Sequence, residues 1–112
     1  MQTIRPPAVA GMFYPADAEE LQTQVNGFLR HATATSITTD APPKALIAPH
    51  AGYIYSGPIA ASAYARLRPL REQITRVVLL GPAHRVAFRG LAASSARAFR
   101  TPLGDIPLDT SA

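Results

Sequence analysis

A chain of 112 residues has room for one small domain. Its 47% apolar and 16% charged residues describe a folded sequence, and the absence of cysteine excludes a disulfide framework and a thiolate-ligated zinc site within it. The net charge of +4 is mild, and the basic residues are scattered with no run of like charge, so nucleic acid is not an expected partner.

The N-terminal stretch "MQTIRPPAVAGMFYPAD" places prolines where a signal peptide needs an unbroken apolar segment. No window of about eighteen apolar residues exists, so a membrane is not an expected partner and a cytoplasmic location is expected. Residues 1–16 read as an extended arm, because Pro6, Pro7 and Pro15 each push the preceding residue away from helix. Met12, Phe13 and Tyr14 are apolar enough to dock on a core. Asp17 followed by Glu20 has capping-box spacing. Leu21, Val25, Phe28 and Leu29 then recur at helical spacing, which predicts an amphipathic helix over 18–30. His31 falls at its end, where a cation suits the helix dipole and a solvated residue is the simplest reading. Residues 31–43, rich in Ser, Thr, Asp and Pro, read as a loop.

"KALIA" (44–48) suits a short buried strand. "SGPIAASAYARLRPL" (56–70) predicts a helix capped by Ser56 or Gly57, with Pro58 in its first turn and Pro69 ending it. Ile59, Ala63 and Leu67 mark one face. "TRVVLLG" (75–81) is the strongest strand signal, a continuous aliphatic run of the kind found in parallel sheets covered on both faces. Strand, helix and strand over this length form a βαβ unit, so the fold class is α/β. "GLAAS" (90–94) is a candidate further strand, and "TPLGDIPLD" (101–109) is turn-rich.

His50 lies two residues past the first predicted strand and His84 three residues past the end of the second. Neighbouring parallel strands bring their C-terminal ends to one sheet edge, roughly 5 Å apart. Ligands bind at that edge in open α/β sheets. Three readings of the pair stand side by side. The imidazoles can be ligands of a metal such as iron, zinc or copper, with a further ligand completing the site. One can be a general base and the other an electrophile. Or each can hydrogen-bond its own turn. Tyr53 and Tyr55 flank the first loop and are candidate pocket residues, although such tyrosines often just cover an edge. Ser56 has no nucleophile-elbow context, so helix capping is its plainer role. Asp105 and Asp109 are within conceivable reach of a metal, but "PLGD" is ordinary turn chemistry. No phosphate-cradle motif is present, and Pro82 removes a backbone donor where such a cradle would need one.

"RPPAVAGMFYPAD", "APHAGYIYSGPIAA", "VVLLGPAH" and "RTPLGDIPLD" occur in the order and approximate spacing of the Memo family, which the chain resembles from Arg5 to Asp109. Bacterial and archaeal members are called AmmeMemoRadiSam system protein B. The resemblance implies an α/β/α sandwich with a βαβ core, similar to the class III LigB-type extradiol dioxygenases. It implies that His50 and His84, which fall on the family's metal-site histidines, hold Fe(II) or Cu, with Tyr53 and Tyr55 shaping the pocket. It implies redox or dioxygenase-like chemistry, or alternatively a peptide- or protein-binding module or a metal-handling protein using the same pocket. A small molecule or peptide is the implied ligand, and a radical-SAM protein the implied system partner. Two departures stand out. Ala83 occupies the serine position of the family's "GPSH" block. Family members are also much longer, and their later part supplies a further metal-site residue and an "HS-x-E" block. The 112 residues are therefore expected to form an incomplete, N-terminal part of the domain. They would bind metal weakly, because two histidines leave the coordination sphere open.

Overall fold

The structure, a computed structural model, describes residues 3–35 and 41–112. The arm begins with β1 (Ile4–Arg5) and then folds back on itself. Gly11, at a φ of 82° that a side chain would resist, lets its N–H donate to the Tyr14 carbonyl at 2.7 Å. The Val9 carbonyl accepts the N–H groups of Met12 and Phe13. Met12 stays exposed, while Tyr14 is half-buried.

Asp17 caps α1 (Ala18–Thr35) as its spacing predicts: its Oδ2 accepts the Glu20 N–H at 2.9 Å. The helix continues five residues beyond the predicted 18–30 and passes through His31, so the predicted 31–43 loop starts later. Residues 36–40 of that loop lie outside the described residues. The extension has a packing cause. Ala32 is a strong helix former and is buried against Ala61 and Ala65 of the next helical segment.

α2 (Tyr53–Tyr64) starts three residues before the predicted helix. Its N-cap is Gly52, which has no side chain to cap with, and Ser56 sits one turn inside rather than at the start. The Tyr53 N–H is taken by the Phe13 carbonyl at 2.8 Å, so a distant backbone oxygen does part of the work of a cap. Pro58 consequently falls in the second turn, where it cannot donate to the Ile54 carbonyl. Pro69 likewise cannot bond the Ala65 carbonyl, and Ala65–Leu70 tightens into a 3-10 helix. α1 and α2 meet closely at Gly57: a Cβ there would lie 2.6 Å from Cε2 of Phe28. The buried core is mostly alanine, with Phe28 and Leu29 packed half-buried against it.

β1, β2 (Ala98–Thr101) and β3 (Gly104–Pro107) form one sheet in that order, β1 parallel and β3 antiparallel to β2. The predicted turn-rich 101–109 segment is thus half of a hairpin, closed by Pro102 and Leu103 with Gly104 at a φ of 131°. Arg100 and Asp105 face each other across it in a bidentate pair, Nε to Oδ1 at 2.8 Å and Nη2 to Oδ2 at 3.0 Å. Arg5 stacks its guanidinium over the Phe99 ring, its register partner, at 5.2 Å.

Helices and a mixed sheet make the chain α/β. The predicted strands 44–48 and 75–81 are not formed, and neither is one at 90–94; the βαβ core is absent from the described residues. Residues 75–81 are also exposed instead of buried, with Val78 87% accessible, and in 44–48 Ile47 is 100% accessible while Leu46 and Ala48 are half-buried. An aliphatic run encodes a tendency to be covered, but a strand needs a paired neighbour and layers on its faces. Neither run has them here. The radius of gyration, 15.4 Å, agrees, since a compact domain of this length measures about 13 Å.

Replacing Gly57 with valine is expected to destabilise the α1–α2 pair by about 1–3 kcal/mol, because Phe28 must move and a β-branched residue gains little helix propensity. Urea denaturation followed by helical circular dichroism measures this. The Arg100 hydrogen bond holds the Asp105 carboxyl below the usual carboxylate range. A depressed native pKa makes the contribution of this pair present above the unfolded value of about 4, and lost as pH falls through the lower native value. Carboxyl-carbon NMR should find the Asp105 midpoint depressed, and Arg100→Ala should raise it.

Candidate functional site

The segment 49–52 is held from two sides. From the arm, the Phe13 carbonyl accepts the Tyr53 N–H. From within α2, the buried Ser56 hydroxyl donates to the Ala51 carbonyl at 2.7 Å. His50 sits on this anchored segment, with Pro49 restricting the backbone just before it. His84 arrives from residues 81–90, which carry no regular secondary structure beyond bends. The two imidazoles meet with ring centres 5.4 Å apart and planes inclined by 39°. The convergence read from the sequence is therefore present, although the strands expected to produce it are not.

Two imidazoles bound to one tetrahedral ion, at metal–nitrogen distances of about 2.0–2.1 Å, place their ring centres roughly 5 Å apart. The observed spacing fits that requirement, and both rings are exposed to an incoming ion. The donor set is incomplete: among the described residues no third His, Cys, Asp or Glu gathers with the pair. The two aspartates considered from sequence are engaged elsewhere, Asp105 with Arg100 and Asp109 with Ser111 and, at 3.6 Å, Arg76.

Beside His50 lies a cavity of about 320 Å³ between the arm, α1 and α2. Its walls include Phe13, Tyr14, Phe28, Tyr53 and Tyr64, and no Asp, Glu, Lys or Arg lines it. Tyr53 is central: its ring lies 5.6 Å from that of Tyr14 and 6.4 Å, edge-on, from that of Phe28. Burial, aided by Tyr14 and Tyr64, pushes its phenol above the ordinary tyrosine value. Tyr55 behaves differently. It projects outward, 78% exposed, and does not line the cavity. Of the two predicted pocket tyrosines, then, one faces inward beside His50. Tyr14, Phe28 and Tyr64 are cavity residues that sequence reading missed. Phe28, on the apolar face of α1, and Tyr14, in the apolar part of the arm, carried a signal, and it pointed to core packing; Tyr64 carried none.

The family profile described as Memo-like protein matches residues 5–112. The chain belongs to the Memo family. A MEMO1 family protein of Methanopyrus kandleri is 42% identical over 111 residues, covering 95% of this chain and 39% of the relative. Protein MEMO1 of Xenopus tropicalis is 42% identical over 100 residues, or 89% of this chain and 32% of the relative. A MEMO1 family protein of Aquifex aeolicus is 41% identical over 106 residues, 95% of this chain and 37% of its own length. The chain thus spans two-fifths or less of these Memo relatives. No solved structure matches it. No helix of the described residues is long and apolar enough to cross a membrane.

Because the Tyr53 phenol is harder to ionise in the folded state, its contribution to stability is intact below the unfolded pKa of about 10 and is lost as pH rises through the higher native value. Ultraviolet titration of tyrosinate should show one late-ionising group that Tyr53→Phe removes.

Proposed function

We propose that this Memo chain contributes two imidazole ligands, His50 and His84, to a site for iron or copper, and that the whole protein uses that site for redox, dioxygenase-like chemistry. What supports the reading is the 5.4 Å approach of the two rings at spacing suited to a shared ion. Bound there, the metal would supply a redox-active centre with open coordination positions. The chain's own part is to bring the two imidazoles together and to line the neighbouring cavity with aromatic and aliphatic side chains. Further ligands would come from the part of a Memo protein that these residues do not span, so affinity in this chain alone is low.

A second reading has its own support. The aromatic cavity beside His50 is of a size that takes a small molecule or a side chain of a peptide, and it needs no metal to do so. Under this reading the pocket is a binding module and any metal is structural.

Calorimetric titration with Cu(II) and Fe(II) separates the two. We expect weak binding that falls at least about tenfold in His50→Ala and in His84→Ala, with the double variant no weaker than either single one. Binding indifferent to both substitutions would remove the metal reading. Ligand binding to the cavity that survives the double substitution would favour the binding module.

A further inference from the structure

We propose that Ser56 is a positioning residue for His50, acting through the Ala51 carbonyl; the proposal rests on the metal reading of the histidine pair. Ser56 is the one buried polar side chain among the described residues, at 6% exposure. A hydroxyl inside a helix ordinarily bonds back to the carbonyl four residues earlier. Here that oxygen, on Gly52, lies 3.3 Å away and already accepts the N–H groups of Tyr55 and Ser56. The shorter contact, 2.7 Å, reaches one residue further, to Ala51, which lies outside α2. The single hydroxyl proton therefore fixes the Ala51–Gly52 peptide, one residue past His50.

The consequence is an asymmetric site. His50 has an anchored backbone: Ser56 holds the Ala51–Gly52 peptide one residue on, and the Phe13 carbonyl holds the next turn through Tyr53. His84 sits in residues 81–90, among which no backbone hydrogen bond is described. One histidine sits on a held backbone and the other on a segment without regular secondary structure. Groups that orient metal ligands without touching the metal typically change affinity by about 10–100-fold when removed. Loss of the Ser56 hydroxyl removes the orientation of the only anchored ligand.

The test compares the protein with its Ser56→Ala and Ser56→Thr variants, using two readouts. The first is the NMR contact between the His50 and His84 ring protons without metal. The second is Cu(II) affinity by calorimetry. Ser56→Ala should keep the helical circular dichroism signal, lose the ring-to-ring contact and bind Cu(II) about tenfold more weakly. Ser56→Thr, which retains the hydroxyl, should keep both. If Ser56→Ala loses its helices, Ser56→Cys takes its place with the same expected losses, since a thiol is a weak donor of similar shape. Unchanged ring contacts and affinity in Ser56→Ala would overturn the proposal. So would equal losses in Ser56→Ala and Ser56→Thr, because packing rather than the hydroxyl would then be responsible. If the unaltered protein binds no Cu(II), the metal reading fails, and the ring contacts alone decide whether Ser56 positions His50.

Discussion

The hydrogen bond from the Tyr53 N–H to the Phe13 carbonyl joins two parts of the chain that are far apart in sequence. It ties the N-terminal arm to the start of α2 and, between them, to the segment bearing His50. Three consequences follow. α2 begins at Tyr53 instead of at the Ser-Gly-Pro signal downstream, because its first orphan donor is already satisfied. The Tyr53 ring is drawn against Tyr14, which closes one wall of the cavity. His50 is left on a short, doubly held segment at the edge of that cavity.

Helix packing supports this arrangement from below. Gly57 lets the Phe28 ring approach the α2 backbone at a distance no side chain would allow. The same ring meets Tyr53 edge-on. Phe28 is thus shared between the α1–α2 contact and the cavity wall, and packing and site geometry are coupled through one side chain. The surrounding alanines contribute close approach more than buried area, so few large apolar groups anchor the pair and each contact matters more.

Sequence and structure agree where local chemistry decides. Asp17 and Glu20 mark the start of α1 because a capping carboxylate and its N–H donor are three residues apart, a distance visible in the sequence. They disagree where burial decides. Residues 75–81 have the composition of a central strand, yet Val77, Val78, Leu79 and Leu80 are all exposed. Composition specifies what a segment would accept as surroundings; it does not supply the surroundings. The hairpin shows the converse. "TPLGDIPLD" has no alternating apolar pattern, but the turn at Pro102 and Leu103 and the Arg100–Asp105 pair suffice to close it.

The sequence by itself determined the family blocks, the α1 cap, the proline stiffening beside His50 and the candidacy of His50 and His84 as a pair. These depend on residue identity and on neighbours a few positions away. Only the tertiary structure decided that the two rings stand 5.4 Å apart, that Tyr53 faces the cavity while Tyr55 faces outward, and that Ser56 bonds Ala51 instead of capping a helix. The last two depend on where α2 begins. That start is set by a carbonyl at Phe13, 40 positions earlier in the chain, and no local pattern in the sequence records such a contact.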